Sequence, residues 1–248
     1  MNKMPKTDQK TESHRDLLSR LANVQAWLSR DAFGGPRLWR LSRVINFQKG
    51  GTCIFVLLLM YVYRNHSMDM WVYLALHGSY GLCWVGKDAC FPDPNWQKPV
   101  TIGGSLFSFG LVLGPYWIGP WLLASGIARQ GEPAASAILA LAIAIHTLGL
   151  GLMLAADCQK HFTLKYRPGY LVTEGVFSRV RHPNYLGEIM IYASYAILVG
   201  HWLPWTILAF IWGGLFSVNI AMKERSLSRY PEWQEYKQRT GLLWPRWR

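Results

Sequence analysis

Apolar residues along this chain collect into six runs, over 46 to 63, 69 to 87, 101 to 127, 134 to 156, 183 to 200 and 203 to 222, with short polar segments between them. A helix needs roughly 20 predominantly apolar residues to cross the hydrocarbon core of a bilayer. The pattern therefore predicts an all-α, polytopic helical bundle with about six transmembrane helices. The third run contains Gly114, Pro115, Gly119 and Pro120, so it is expected to be kinked or divided into two shorter segments. Ahead of the first run, Leu17, Leu18, Leu21, Val24, Trp27 and Leu28 recur at helical spacing among Arg15, Arg20 and Arg30. This predicts an amphipathic helix, lying either in the membrane interface or against the end of the bundle. No uninterrupted apolar h-region precedes it, so a cleaved signal peptide is not expected.

Composition agrees with the pattern. The chain has 248 residues, is 51% hydrophobic with 13 Trp, and carries only 16% charged residues, which is too apolar for an ordinary soluble domain. Charge placement adds an orientation. Of 26 Lys and Arg residues, ten lie before or in the opening turn of the first run, and only Arg64 and Arg129 fall on the opposite side of the six-span layout. The positive-inside rule then places both termini in the cytoplasm, in a bacterial inner membrane or the endoplasmic reticulum. The net charge of +12 is accounted for by that topology and by attraction to anionic membrane lipids, and a nucleic-acid partner is excluded on the same ground. Cys53, Cys83, Cys90 and Cys158 form no CxxC pair, so neither a metal site nor a disulfide framework is expected.

Polar residues concentrate in the stretch RPGYLVTEGVFSRVRHPNYLGE, from Arg167 to Glu188, and in the segment that follows Lys223. A short apolar hairpin from Pro183 to Met222 returns the chain to the same face, which brings Glu224 and Arg225 toward His182 and Glu188. Pro183 suits the first position of a helix. Asn184 and Glu188 then share one face at i, i+4, and Tyr192 continues it. A carboxylate one turn inside an apolar helix requires a partner or a wet cavity. These residues predict a cofactor pocket walled by that face, with Arg179, Arg181 and His182 at its mouth; the alternative is that the cations are flank residues and Glu188 pairs with an arginine. In the second run, Tyr73, His77, Tyr80 and Trp84 fall on one helical face. They form either a hydrogen-bonded interhelical seam or a donor set for a substrate. His146 is expected to be a hydrogen-bonded packing residue.

The stretch HFTLKYRPGYLVTEGVFSRVRHPNYLGEIMIYASYAIL, with KERSLSRYPEWQEYKQRT and LLWP after it, resembles the C-terminal domain of the steroid 5-alpha-reductase and isoprenylcysteine carboxyl methyltransferase superfamily, in particular its bacterial reductase-like branch. The resemblance covers about residues 145 to 248. It implies a cytoplasmic tail over 1–45, an N-terminal membrane bundle over 46–144 on the substrate side, and a cofactor-binding domain over 145–248. One branch of that superfamily binds NADPH and the other S-adenosylmethionine. By resemblance, Asp157 and Arg167 contact the nucleotide, and Asn184 and Glu188 match an N-x-x-G-E motif at the nicotinamide end. The glutamate that the steroid enzymes use for substrate has no counterpart in the first two runs, and KERSL with EWQEYKQRT looks closer to the methyltransferase pattern.

A cation-rich polar face suits the phosphates of NADPH better than the single carboxylate of S-adenosylmethionine. The expected activity is therefore NADPH-dependent reduction of a C=C bond in a hydrophobic small-molecule or lipid substrate, steroid-like or isoprenoid. Glu188 serves the nicotinamide, Asp157, Arg167, Arg179 and Arg181 hold the nucleotide, and Tyr80 or His77 polarises the substrate. The alternatives are an S-adenosylmethionine-dependent methyltransferase of a lipid or isoprenylcysteine-like carboxylate, with His182, Tyr185 and Glu224 at the cofactor, and a non-catalytic membrane scaffold.

Overall fold

The computed structural model describes residues 6–246, with side chains from Leu17 onward; Arg15 of the amphipathic pattern lies outside the described side chains. It is a helical membrane protein. Helix α1 (Lys6–Arg30) leads through a short strand β1 (Arg37–Arg40) into α2 (Leu41–Tyr63) and α3 (Met68–Cys90). Strand β2 (Pro99–Thr101) pairs antiparallel with β1, a ribbon that the hydropathy pattern does not announce. The third pass is divided, as its prolines and glycines predict: α4 (Ile102–Phe107), a wide π-turn segment over Ser108–Leu113, a 3-10 turn over Gly114–Trp117, and α5 (Ile118–Ala124). Then come α6 (Ser136–Tyr166), α7 (Pro183–Val199), α8 (Trp202–Ile211), a second π segment over Trp212–Phe216, α9 (Ser217–Leu227) and α10 (Trp233–Arg239).

Among the described residues, four stretches are long and apolar enough to cross a membrane: Leu41–Tyr63, Ile102–Gly131, Ser136–Tyr166 and Trp202–Leu227. Helices α3 and α7 run beside them between the same two ends. At one end, Ser42 bonds the Trp96 carbonyl, Lys87 meets Asp157, and His182 meets Glu224. At the other, Asn65 donates to the Leu123 and Ala124 carbonyls, Asp69 accepts from the Ala134 amide, and Arg129 caps the carbonyls of Ile197 and Leu198. Helix α3 falls short in apolar character because its polar side chains face inward, whereas α7 is apolar but only 17 residues long. Ile54, Tyr61, Leu82, Leu148 and Phe210 are all more than half exposed, which leaves an apolar exterior suited to lipid.

Helix pairs approach through glycine, as expected where lipid removes the hydrophobic drive between helices. A Cβ on Gly81 would lie 2.2 Å from the Lys49 carbonyl oxygen, so α2 and α3 touch there, backbone to backbone. A Cβ on Gly187 would lie 2.6 Å from the Gly149 carbonyl oxygen and 2.7 Å from the Met153 nitrogen, which fixes the crossing of α6 and α7. These two contacts set the neighbours of Tyr80 and Glu188. The boundary expected at 144/145 falls inside α6, so one continuous helix joins the two parts that the resemblance separates. Helix α1 packs against the bundle, the second of the two readings offered for it. One side packs on α4 and α9, with Gln25 donating to Asn219 at 2.9 Å and Arg225 donating to Ser19 at 2.7 Å, while Leu17, Val24 and Trp27 stay exposed.

Candidate functional site

Helix α7 starts at Pro183, where the missing N–H is not required. One turn in, Asn184 and Glu188 point from the same face, half-buried, and neither side chain makes a hydrogen bond or ion pair among the described residues. Glu188 nonetheless sits in the electrostatic field of Lys49, Lys87, Asp157 and Lys223, drawn from α2, α3, α6 and α9. An intramembrane carboxylate surrounded by charges yet bonded to none is arranged for something other than packing.

The surrounding groups are themselves organised. Lys87 and Asp157 form an ion pair at 2.7 Å, with the ammonium held over the rings of Trp84 at 4.3 Å and Trp96 at 4.6 Å. Their far side opens into a cleft of about 280 Å³ at the charged end, lined also by Phe91, Asp93, Lys160, His161 and Lys165. Three ammonium groups therefore face two carboxylates. On the near side, Lys49 donates to the hydroxyl of Tyr192 at 2.7 Å and to that of Tyr80, and lies 4.1 Å above the Trp84 ring. Tyr116, from the 3-10 turn of the divided pass, stacks on Tyr192 at 4.0 Å. Lys223 lies 4.6 Å over the Tyr185 ring.

The stripe on α3 is buried along its whole length, as the spacing predicts, but it serves two groups. Tyr80 and Trp84 join Lys49. His77 bonds Tyr73 at 3.2 Å and stacks on Tyr195 at 4.3 Å, and Tyr195 bonds His146 at 3.1 Å. Tyr73, His77, His146 and Tyr195 thus form an interhelical seam, and only Tyr80 of the expected donor pair meets the charged cluster.

Arg167, expected at the nucleotide, and Arg179, Arg181 and His182, expected at the mouth, lie away from Glu188 or are engaged with other partners. Arg167 is exposed and lies 3.8 Å from Glu174, beyond the end of α6. Arg179 is exposed and donates to the Arg246 carbonyl at 3.3 Å. Arg181 is buried against Glu224 at 3.0 Å and donates to the Thr240 carbonyl at 2.7 Å, while His182 shares the same carboxylate at 2.9 Å. Backbone bonds from Arg181 to Gly241 and from His182 to Leu242 bind the C-terminal segment across the entrance to α7. This is a latch that fixes α7, and Glu224 is engaged within it. Burial lowers the His182 pKa below its ordinary value, against the opposing hydrogen bond to Glu224. Lys49 and Lys87 are the residues that the sequence reading missed as site members. Each stands at an end of an apolar run, where a lysine reads as a flank charge.

A family model described as a protein of unknown function, DUF1295, matches residues 108–240, more than half of the chain. The chain belongs to the DUF1295 family. The DUF1295 match takes in Asp157, Asn184, Glu188 and the Arg181–Glu224 latch, whereas Lys49, Tyr80 and Lys87 precede it. This DUF1295 chain is also similar to an uncharacterized protein of Schizosaccharomyces pombe, 27% identical over 106 residues that cover 40% of this chain and 38% of the relative. The chain therefore spans well under half of that relative's length. No solved structure matches it.

Proposed function

We propose that this chain is a membrane-embedded, NADPH-dependent reductase of a C=C bond in a hydrophobic substrate. The observation that carries the reading is the unpartnered pair Asn184 and Glu188, set between a cationic cleft on one side and a buried Lys49–Tyr80 contact on the other. The resemblance of this region to the steroid 5-alpha-reductase superfamily, with which DUF1295 is associated, supports the same chemistry.

The donor set fits a phosphate-bearing cofactor. Lys87, Lys160 and Lys165 offer charge-assisted hydrogen bonds to phosphate oxygens at the open end of the cleft. Asp157 holds Lys87 in place through their ion pair. Asn184 supplies two N–H donors and an acceptor oxygen, and the Glu188 carboxylate supplies further acceptors, of the kind that orient a carboxamide. When bound, the reduced nicotinamide supplies a hydride. Tyr80 is placed to hydrogen-bond the substrate atom on which negative charge develops as the hydride adds. Glu188 lies in the field both of Lys87 and Asp157, which line the cleft, and of Lys49, which bonds Tyr80, and this supports a cofactor and a substrate meeting beside it. Both termini at the cytoplasmic face, as the basic residues predict, put the cleft where the nucleotide is dissolved.

A second reading, methyl transfer from S-adenosylmethionine to a lipid or isoprenylcysteine-like carboxylate, draws on the gathering of His182, Tyr185 and Glu224 at the start of α7. The ligation of Glu224 by Arg181 and His182 makes it the weaker of the two.

Thermal unfolding of detergent-solubilised protein with each cofactor separates the readings. A ligand at 100 times its Kd stabilises the folded state by about 2.7 kcal/mol. NADPH is expected to stabilise, with a shift that shrinks as salt rises and falls in Lys160→Gln and Lys165→Gln. Stabilisation by S-adenosylmethionine, with NADPH inert at millimolar concentration, would show the reductase assignment to be wrong.

A further inference from the structure

The breaks in the third pass shape a slot. Pro115, Tyr116 and Gly119, from its 3-10 turn and α5, face α7 and α8 across a narrow gap. On the α7 side the gap is lined by Tyr192, Tyr195, Ala196 and Val199. These stand at i, i+3, i+4 and i+7, so the slot follows the helix axis for two turns, about 10 Å. Over that length it encloses only about 20 Å³, against about 280 Å³ in the charged cleft. A space so long for its volume admits atoms one behind another.

The walls are apolar, and no charged side chain lines them. The hydroxyls of Tyr73, Tyr192 and Tyr195 are taken up by His77 at 3.2 Å, Lys49 at 2.7 Å and His146 at 3.1 Å, which leaves ring carbon to face the slot. Gly119 sets the width. A Cβ there would lie 3.2 Å from the Tyr73 hydroxyl and 3.7 Å from Val199, so one added methyl group would bridge the slot from wall to wall. Pro115 and Pro204, on facing walls, are only part-buried, and between them one long side is open toward the apolar exterior. The inner end reaches the candidate site. Tyr116 and Tyr192 stack there at 4.0 Å, both lie in the field of Glu188, and Tyr192 is one turn from Glu188 on the same face of α7.

We propose that this slot holds the open-chain hydrocarbon tail, acyl or isoprenyl, of a substrate whose polar end lies beside Glu188. A fused-ring body is too broad for a passage that takes atoms in single file, whereas a chain enters sideways through the open edge and gains affinity with each methylene that it buries. The inference rests on the reductase reading and narrows its substrate to a chain with the reducible C=C bond toward the polar end. The glycines and prolines that divide the third pass then have a use, since an unbroken helix with a side chain at Gly119 would close the slot.

Photolabelling tests the site without nucleotide. The full-length protein in detergent micelles would be irradiated with a hexadecanol that carries a diazirine at mid-chain, and the labelled peptides located by mass spectrometry. Labelling should saturate and fall on Tyr192–Val199 and Pro204–Leu208. Excess hexadecanol or farnesol should protect these peptides and testosterone should not, and the better protector of the two alcohols tells an acyl from an isoprenyl tail. Gly119→Val should lose the labelling, while Gly110→Ala, where an added methyl group meets nothing within 4 Å, should retain it. Labelling that rises without saturation, protection by testosterone equal to that by the alcohols, or unchanged labelling in folded Gly119→Val would overturn the proposal. Should Gly119→Val not fold, the competition in wild-type protein decides alone. If the chain site behaves as expected while NADPH fails to stabilise the protein, the reductase reading falls and the tail site stands. If NADPH stabilises it and testosterone protects as well as the alcohols, this inference alone is wrong.

Discussion

Substituting alanine for Gly187 tests the geometry on which the site depends. The added methyl would sit 2.6 Å from the Gly149 carbonyl oxygen, 2.7 Å from the Met153 nitrogen and 2.9 Å from the Met153 Cβ. Two of these are backbone atoms and the third begins a side chain, so no flexible tip can swing aside. To reach ordinary contact near 3.4 Å, α6 and α7 must separate by roughly 0.8 Å, and overpacking of this kind costs about 1–3 kcal/mol. Gly151, on α6, serves as the control, because a methyl group added there would meet nothing within 4 Å. At that position the intrinsic preference of alanine for helix gains up to about 1 kcal/mol. Denaturation by sodium dodecyl sulfate in mixed micelles gives the difference directly, with Gly187→Ala less stable and Gly151→Ala neutral or more stable. Glu188 is the next residue on α7, so Gly187→Ala should also weaken stabilisation by NADPH. Equal stability of the two variants would refute the close crossing of the helices and the placement of Glu188 derived from it.

Glu188→Gln should leave the protein folded and reduce cofactor stabilisation by about 1–3 kcal/mol, the range for a charge-assisted hydrogen bond; unchanged cofactor response with a lower unfolding midpoint would assign Glu188 to structure. Reporters at the C-terminus and beside Glu132 should mark opposite sides of the membrane, with the C-terminus cytoplasmic, and finding both on one side would remove the six-pass layout. His182 is held below the ordinary imidazole pKa of about 6.5 by burial, against its bond to Glu224. Its contribution to stability is therefore complete above about pH 6.5 and is lost as pH falls, because the unfolded chain takes up the proton more readily; a His182→Gln variant with the same pH slope as the wild type between about pH 7.5 and 5.5 would contradict this.

The helical passes were legible because their run lengths and periodicity are local properties. The start of α7 was legible in Pro183, and the Asn184–Glu188 face in its i, i+4 spacing. The face of α3 was also readable, but not its division, because which of Tyr80 and His77 meets a cation depends on α2. Lys49 was hidden by its position in the opening turn of an apolar run, where it counts as a flank charge; the structure places it about two turns inside α2, beneath the Gly81 contact. Arg181 looked like a ligand for an anion because its carboxylate lies 43 positions later in the chain. The last ten residues of α6 lost their apolar signal without losing their helical conformation, so the cleft that they wall could not be foreseen.

The length of α6 has a consequence for where each kind of ligand is dissolved. Its 31 residues at 1.5 Å each reach about 46 Å, against a hydrocarbon thickness of about 30 Å. The surplus stands at the charged end, where Lys160, His161 and Lys165 project from it into the cleft. An ionic molecule bound there keeps its hydration and its counterions. On the proposed reductase reading, only its uncharged tip has to reach Glu188, while a lipid-soluble substrate meets it without leaving the hydrocarbon. Two solutes with no common solvent are, on that reading, thus brought together, and the length of α6 sets the depth at which they meet.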